Sequence, residues 1–194
     1  MTEPDFSARR PFSQTGPAFL CICLIFALLA WFGRANAPFY GPAGTLSIGL
    51  AGLLLALCWI DLDRFVLPNF ITYPLTMAGV LYSAVLGQGL LLSALGGLVG
   101  YSLIAGLAVY WRNRFGREGI GLGDAKLLAA GGTWIGLFGL PFILLIASGG
   151  ALAIIAILAV FKKPIGPQSH IPFGPALSIA IWAVWCLPQV LPNA

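Results

Sequence analysis

Apolar residues run through this chain in long stretches, each closed by glycine, proline or charge. A helix that crosses the hydrocarbon core of a bilayer needs about 20 such residues, within a range of roughly 17–25. Measured against that length, the sequence predicts seven membrane-crossing helices, at 17–33, 42–60, 70–87, 90–111, 124–139, 140–161 and 172–191. The fifth and sixth meet without a polar break, at Gly139, Leu140 and Pro141. Seven such spans make the expected fold class all-α and polytopic.

Composition agrees. Of 194 residues, 59% are hydrophobic and 8% charged, whereas a soluble domain carries about 25% charge. So few charges cannot make a water-facing surface, and lipid is the expected main solvent. The length allows one domain. Residues 1–16 read as a cytoplasmic N-terminal tail and residues 17–194 as the transmembrane domain. The bilayer is therefore the first partner. Nucleic acid is not one, because the basic residues sit between apolar stretches rather than in a run with aromatics. The four cysteines, Cys21, Cys23, Cys58 and Cys186, form no C-x-x-C pair, and each lies in an apolar stretch. They read as small buried hydrophobes. The single histidine, His170, stands far from all of them, so the sequence gives no support for a metal, and no cofactor is expected.

Charge placement says more than the net +4. Basic residues favour the cytoplasmic side of a membrane. With the N-terminus inside and seven crossings, Arg9, Arg10, Arg64, Arg112, Arg114, Arg117, Lys126, Lys162 and Lys163 all fall on that side. Arg34 alone falls outside. A missing or extra span would send the later segments to the wrong face and erase the bias. Arg9 and Arg10 before an apolar run, with Ala35–Asn36–Ala37 behind it, imitate a cleavable export signal. Because nearly everything after residue 41 reads as membrane helix, the first helix is expected to stay uncleaved.

The same walk puts every acid on the cytoplasmic side: Glu3, Asp5, Asp61, Asp63, Glu118 and Asp124. A carboxylate at membrane depth costs a few kcal/mol on insertion scales, so those at helix ends draw attention. Asp61 opens the segment Asp61-Leu62-Asp63-Arg64-Phe65-Val66-Leu67-Pro68-Asn69 between the second and third helices. Pro68 suits the first turn of the third helix, and Asn69 is placed to bond nearby backbone. Asp124 follows Gly121-Leu122-Gly123, glycines that permit a close backbone approach, and it begins a helix whose dipole favours an anion. Topology brings Asp61 and Asp124 to one face at similar depth. Two carboxylates that meet can hydrolyse a peptide: one takes a proton from water while the other, kept protonated, polarises the carbonyl. Asp63, two residues on, lies about 200° around the helix from Asp61 and should face elsewhere.

At these residues the chain resembles the type IV prepilin peptidases of the GxGD aspartyl protease group. The resemblance rests on three motifs in order: Asp61 with Leu67-Pro68-Asn69, the segment Arg117-Glu118-Gly119-Ile120-Gly121-Leu122-Gly123-Asp124-Ala125-Lys126, and Ile171-Pro172-Phe173-Gly174-Pro175. It covers roughly residues 45–190. It implies an inner-membrane endopeptidase that removes the short basic leader of prepilins or pseudopilins at the cytoplasmic face, usually between Gly and Phe. Asp61 and Asp124 would be the catalytic pair, with Gly121 and Gly123 shaping the second aspartate's approach. Lys126 would hold a backbone or carboxylate group, or else snorkel to the lipid headgroups. Long family members also carry an N-terminal domain with two C-x-x-C pairs, tied to methylation of the new N-terminus. This sequence has no such pairs and no Gly-rich nucleotide fingerprint, so a peptidase-only member is expected. A homo-oligomer is compatible with the sequence, which is silent on the matter.

The alternative is a small transporter subunit that passes protons or cations over Asp61 and Asp124. It would place acids near the bilayer midplane and repeat one half of the chain in the other; neither pattern is found. A scaffold without activity would leave both aspartates unexplained. The topology is directly testable. Reporter fusions after Arg117 and after Lys163 should read cytoplasmic, and one after Gln88 should read external. An external reading at Arg117 would remove both acids from the cytoplasmic face.

Overall fold

In a computed structural model, residues 12–33, 42–86, 89–116, 121–160 and 173–186 are described, and within them each of the seven expected segments contains a helix. The helices are α1 (Phe12–Gly33), α2 (Pro42–Arg64), α3 (Asn69–Leu86), α4 (Leu90–Phe115), α5 (Leu122–Ile135), α6 (Leu140–Val160) and α7 (Gly174–Cys186). No strand occurs among the described residues. Four helical stretches are long and apolar enough to cross a membrane: Gly44–Arg64, Asn69–Leu86, Leu90–Phe115 and Leu137–Ala156. Two shorter apolar ones, Gly16–Trp31 and Gly174–Cys186, accompany them. The protein is an all-α, multi-pass membrane protein. Arg9, Arg10, Arg34, Arg117, Glu118, Lys162, Lys163 and His170, with the Ala35–Asn36–Ala37 segment, lie outside the described residues.

The bundle is sorted by depth. α5 is enclosed by α3, α4, α6 and α7, and α7 packs in turn against α1, α2, α5 and α6. From Leu127 to Ile135 every residue of α5 is buried, and so is α7 along almost its whole length. The other helices carry the outer surface, with Leu24, Met77, Val85, Leu91, Leu145 and Leu152 more than 60% exposed. Exposed aliphatic side chains in that number would be an aggregation hazard in water; in a bilayer they are the ordinary outer surface.

The fifth segment differs from expectation in one respect. Rather than continuing to Gly139, α5 stops at Ile135, and a 3-10 turn over Leu137–Gly139 leads into α6. Gly136 makes the break. Its φ of 83° lies in the region open mainly to glycine, and its N–H closes on Gly132 O at 2.8 Å. At ~1.5 Å per residue the fourteen residues of α5 extend about 21 Å, short of a ~30 Å hydrocarbon core.

Small residues and a few polar bonds hold α5 in place. An added Cβ on Gly132 would fall 2.3 Å from Gly96 O, and one on Gly96 would fall 2.3 Å from Gly132 O. The backbones of α4 and α5 are thus in direct contact, the arrangement that membrane helices use when little hydrophobic gain is available between them. At the next residue of α5, Thr133 O accepts from Ser93 Oγ at 2.7 Å and from Ser83 Oγ at 3.3 Å, which ties α3, α4 and α5 together. Three indoles bond across the core: Trp134 Nε1 to Leu75 O at 2.9 Å, Trp182 Nε1 to Phe26 O at 3.0 Å, and Trp185 Nε1 to Ser47 Oγ at 3.1 Å. Among the cysteines, Cys58 and Cys186 are buried as expected, but Cys21 lies on an exposed face of α1. An apolar neighbourhood in sequence means lipid there, not protein interior.

The Gly96–Gly132 contact predicts a sharp contrast. Gly132→Ala, which meets backbone that cannot move aside, should destabilise the solubilised protein by about 1–3 kcal/mol. Gly106→Ala has open space around it and should be neutral or stabilising, since Ala favours helix by up to ~1 kcal/mol over Gly. Thermal unfolding in detergent checks the pair.

Candidate active site

Asp61 stands in the last turn of α2, three residues before that helix ends. The end is an unusual one. Phe65 takes a left-handed conformation, φ 54°, and its N–H closes on Asp61 O at 2.9 Å. A bulky residue there is strained by about 1–2 kcal/mol where glycine would not be. The turn sends the chain back through Val66 and Leu67 to Pro68, whose carbonyl accepts from Ile71 N and Thr72 N at 3.1 and 3.2 Å. Pro68 thus stands immediately before α3 and accepts its first bonds; its ring costs nothing where no N–H is required.

Asp124 is the third residue of α5, where the first-turn N–H groups and the helix dipole favour a carboxylate. The glycines before it divide. A Cβ on Gly123 would lie 3.1 Å from Leu67 Cβ and 3.2 Å from Leu67 Cδ1, so the Leu67–Pro68–Asn69 segment packs directly on the Gly121–Asp124 segment. Gly121 is extended, φ −73° and ψ 130°, and an added Cβ would make only ordinary contact with Asp124 Oδ2 at 3.5 Å. Nothing in the described structure explains a glycine at position 121.

The two aspartates are brought to one place. Asp61 is 6% exposed and Asp124 partly so, and Asp124 lies near enough to Asp61 to feel its charge. Asp61 Oδ2 accepts a bond from the backbone N–H of Gly174, the first residue of α7, at 3.1 Å. Asp63 turns outward: its carboxylate pairs with its neighbour Arg64, Oδ2 to Nε at 3.5 Å. An exposed pair of that kind contributes little, about 0–1 kcal/mol.

Asn69 and Lys126 have a different arrangement from the one expected. Asn69 does not serve its local backbone; its Oδ1 accepts from Lys126 Nζ at 2.6 Å. That bond, with the Lys126 ammonium 5.6 Å from the centre of the Tyr73 ring, fixes the lysine between α3 and α5. Lys126 therefore holds a side-chain amide, rather than a backbone group or a carboxylate. Gly174 had been legible only as part of the Ile171–Pro175 motif, and its role at Asp61 has no signal in sequence spacing, because the two residues are 113 positions apart.

A buried aspartate and a partly exposed one, brought together at the ends of two helices, define a class: helical membrane proteins with an aspartate pair set into the bundle. The comparisons narrow that class. The type IV leader peptidase family matches residues 48–159, more than half of the chain, and the chain belongs to that family. Among curated relatives, a prepilin leader peptidase/N-methyltransferase of Aeromonas hydrophila is 38% identical over 183 residues, which is 93% of this chain and 59% of the relative. Proteins of the same name from Neisseria gonorrhoeae and Dichelobacter nodosus are 32% identical over 164 residues and 39% over 145, covering 84% and 71% of this chain and 54% and 48% of theirs. The chain thus spans about half to three-fifths of the length of these relatives. No solved structure matches it.

The Leu67–Gly123 contact is testable by a double-mutant cycle. Gly123→Ala and Leu67→Ala should each lower thermal stability, and the double variant should lose less than their sum. A coupling of about 0.5–3 kcal/mol is expected for residues in contact, and strict additivity would show that the two motifs do not touch.

Proposed function

We propose that the protein is an aspartyl endopeptidase that removes the short basic leader of prepilins or pseudopilins. The observation that carries this reading is the meeting of Asp61 and Asp124 at one place in a chain of the type IV leader peptidase family. Asp61 and Asp124 are the catalytic pair. One carboxylate accepts a proton from water as it attacks the scissile carbonyl, while the other, protonated, donates to the carbonyl oxygen; as the C–N bond breaks, the first passes the water's proton to the leaving amine and the second recovers its proton from the collapsing diol. Close approach of two carboxylates in a partly dehydrated site favours one shared proton, the state this chemistry needs.

The remaining residues support the pair. Gly123 lets Leu67 seat the first motif on the second, and Pro68 fixes the turn between α2 and α3. Asn69 and Lys126 brace α3 against α5 beside Asp124, and Gly121 belongs to the approach to Asp124. We place the protein in the bacterial inner membrane, with its N-terminus and site on the cytoplasmic side, where a prepilin leader lies while its apolar helix stays in lipid. The 17–194 segment is the peptidase unit. The transporter reading gains no observation: both aspartates lie near helix ends rather than at mid-helix.

Co-expression with candidate prepilins, scored by leader removal, tests the proposal. Asp61→Asn and Asp124→Asn should each abolish cleavage with the protein still inserted, while Asp63→Asn keeps most of it. Chelators should leave the purified enzyme active. If Asp63→Asn stops cleavage and Asp61→Asn does not, the pair is wrongly assigned. Activity lost to a chelator and restored by zinc would replace the aspartyl mechanism with another.

A further inference from the structure

We infer that Gly174 is a positioning residue for Asp61, a role that rests on the aspartyl reading above. Its N–H donates to Asp61 Oδ2 at 3.1 Å. The first N–H groups of a helix have no partner within the helix, and this one is buried, so the aspartate satisfies a donor that would otherwise be orphaned. The donor is rigid. Gly174 opens α7, and Pro175, Ala176, Leu177 and Ser178 behind it are all buried. A peptide N–H on a packed helix cannot rotate away as a hydroxyl or ammonium can. It therefore fixes how the carboxylate is turned, and with Oδ2 engaged, Oδ1 is the oxygen left for water.

The site also requires glycine here on steric grounds. A Cβ on Gly174 would stand 2.6 Å from Asp61 Oδ2, 2.9 Å from its Cγ and 3.3 Å from its Cβ. Contacts that short do not persist, so any side chain must turn the carboxylate or push α7 off α2. The missing Cβ is what allows the bond. The role assigned to Gly174 is exercised through Asp61.

The test uses the full chain in proteoliposomes with a prepilin substrate. Misplacing a catalytic group by about 1 Å can cost on the order of 10²-fold in rate, so Gly174→Ala should lower kcat by about that factor. KM should stay within roughly threefold, the signature of a group lost in the transition state only. Gly131→Ala is the packing control: its Cβ would press on α7 at Ile181 Cγ1, 2.7 Å away, without touching Asp61, and its kcat should stay near wild type. A Gly174→Ala enzyme with unchanged kcat overturns the inference, as does an equal loss in Gly131→Ala. Should Gly174→Ala fail to insert, NMR of [15N]glycine-labelled wild-type protein decides. The Gly174 amide proton should resonate well downfield and move upfield in Asp61→Ala; no movement overturns the inference. Wild-type protein that cleaves no prepilin would defeat the proposed activity, while the NMR measurement would still report on the Gly174–Asp61 bond.

Discussion

Gly96 and Gly132 put the backbones of α4 and α5 against each other, and the location of Asp124 follows from that contact. A helix too short to span the bilayer cannot be located by the membrane's two faces, as longer helices are. It must be located by its neighbours. The close crossing with α4, the Ser83 and Ser93 bonds to Thr133 O, and the Trp134 bond to Leu75 O fix α5 along its axis and around it. Its first turn then presents Asp124 where α2 presents Asp61. Loosening the crossing would move a carboxylate although neither glycine is near one.

Keeping two acids in such a place is costly, since burial strips water from a charge and a second charge nearby adds repulsion. The fold offsets this locally. The first turn of α5 and the first N–H of α7 each present positive dipole ends, one at Asp124 and the other at Asp61. No basic side chain bonds either aspartate among the described residues; Lys126, two positions from Asp124, bonds Asn69 instead. Backbone donors can stabilise a carboxylate without the strong ion pair that an ammonium would form. That leaves the pair free to exchange a proton, as the proposed chemistry requires.

Much of this was readable before any coordinates. Lengths of apolar sequence marked seven helices because the bilayer imposes one length on nearly all of them, and α5 escaped the rule because protein surrounds it. Its true end at Ile135 depends on Gly136 adopting a positive φ, which apolar run length does not register. Asp61 and Asp124 stood out because charge is scarce in such a chain. What could not be read were contacts across the bundle: Leu67 on Gly123, Asn69 on Lys126, Gly174 on Asp61. Each joins residues more than fifty positions apart, and side-chain chemistry alone proposes several partners for each. Cys21 shows the complementary limit, since an apolar context did not tell lipid from core.

The enclosure of α5 bears on how the protein is made. A fourteen-residue segment with Asp124 and Lys126 in its first turns is a poor substrate for insertion by itself, because charged residues raise the cost of partitioning. It is synthesised after α4 but before α6 and α7, two of the helices that wall it in. During biogenesis it must therefore enter the bilayer on the surface of α4, with one side still uncovered. The aspartate pair acquires its last contact only when α7, the final described helix, docks and Gly174 reaches Asp61. A nascent chain halted earlier would hold both carboxylates but not the finished constellation, so the proposed hydrolysis would have to wait for α7 to dock.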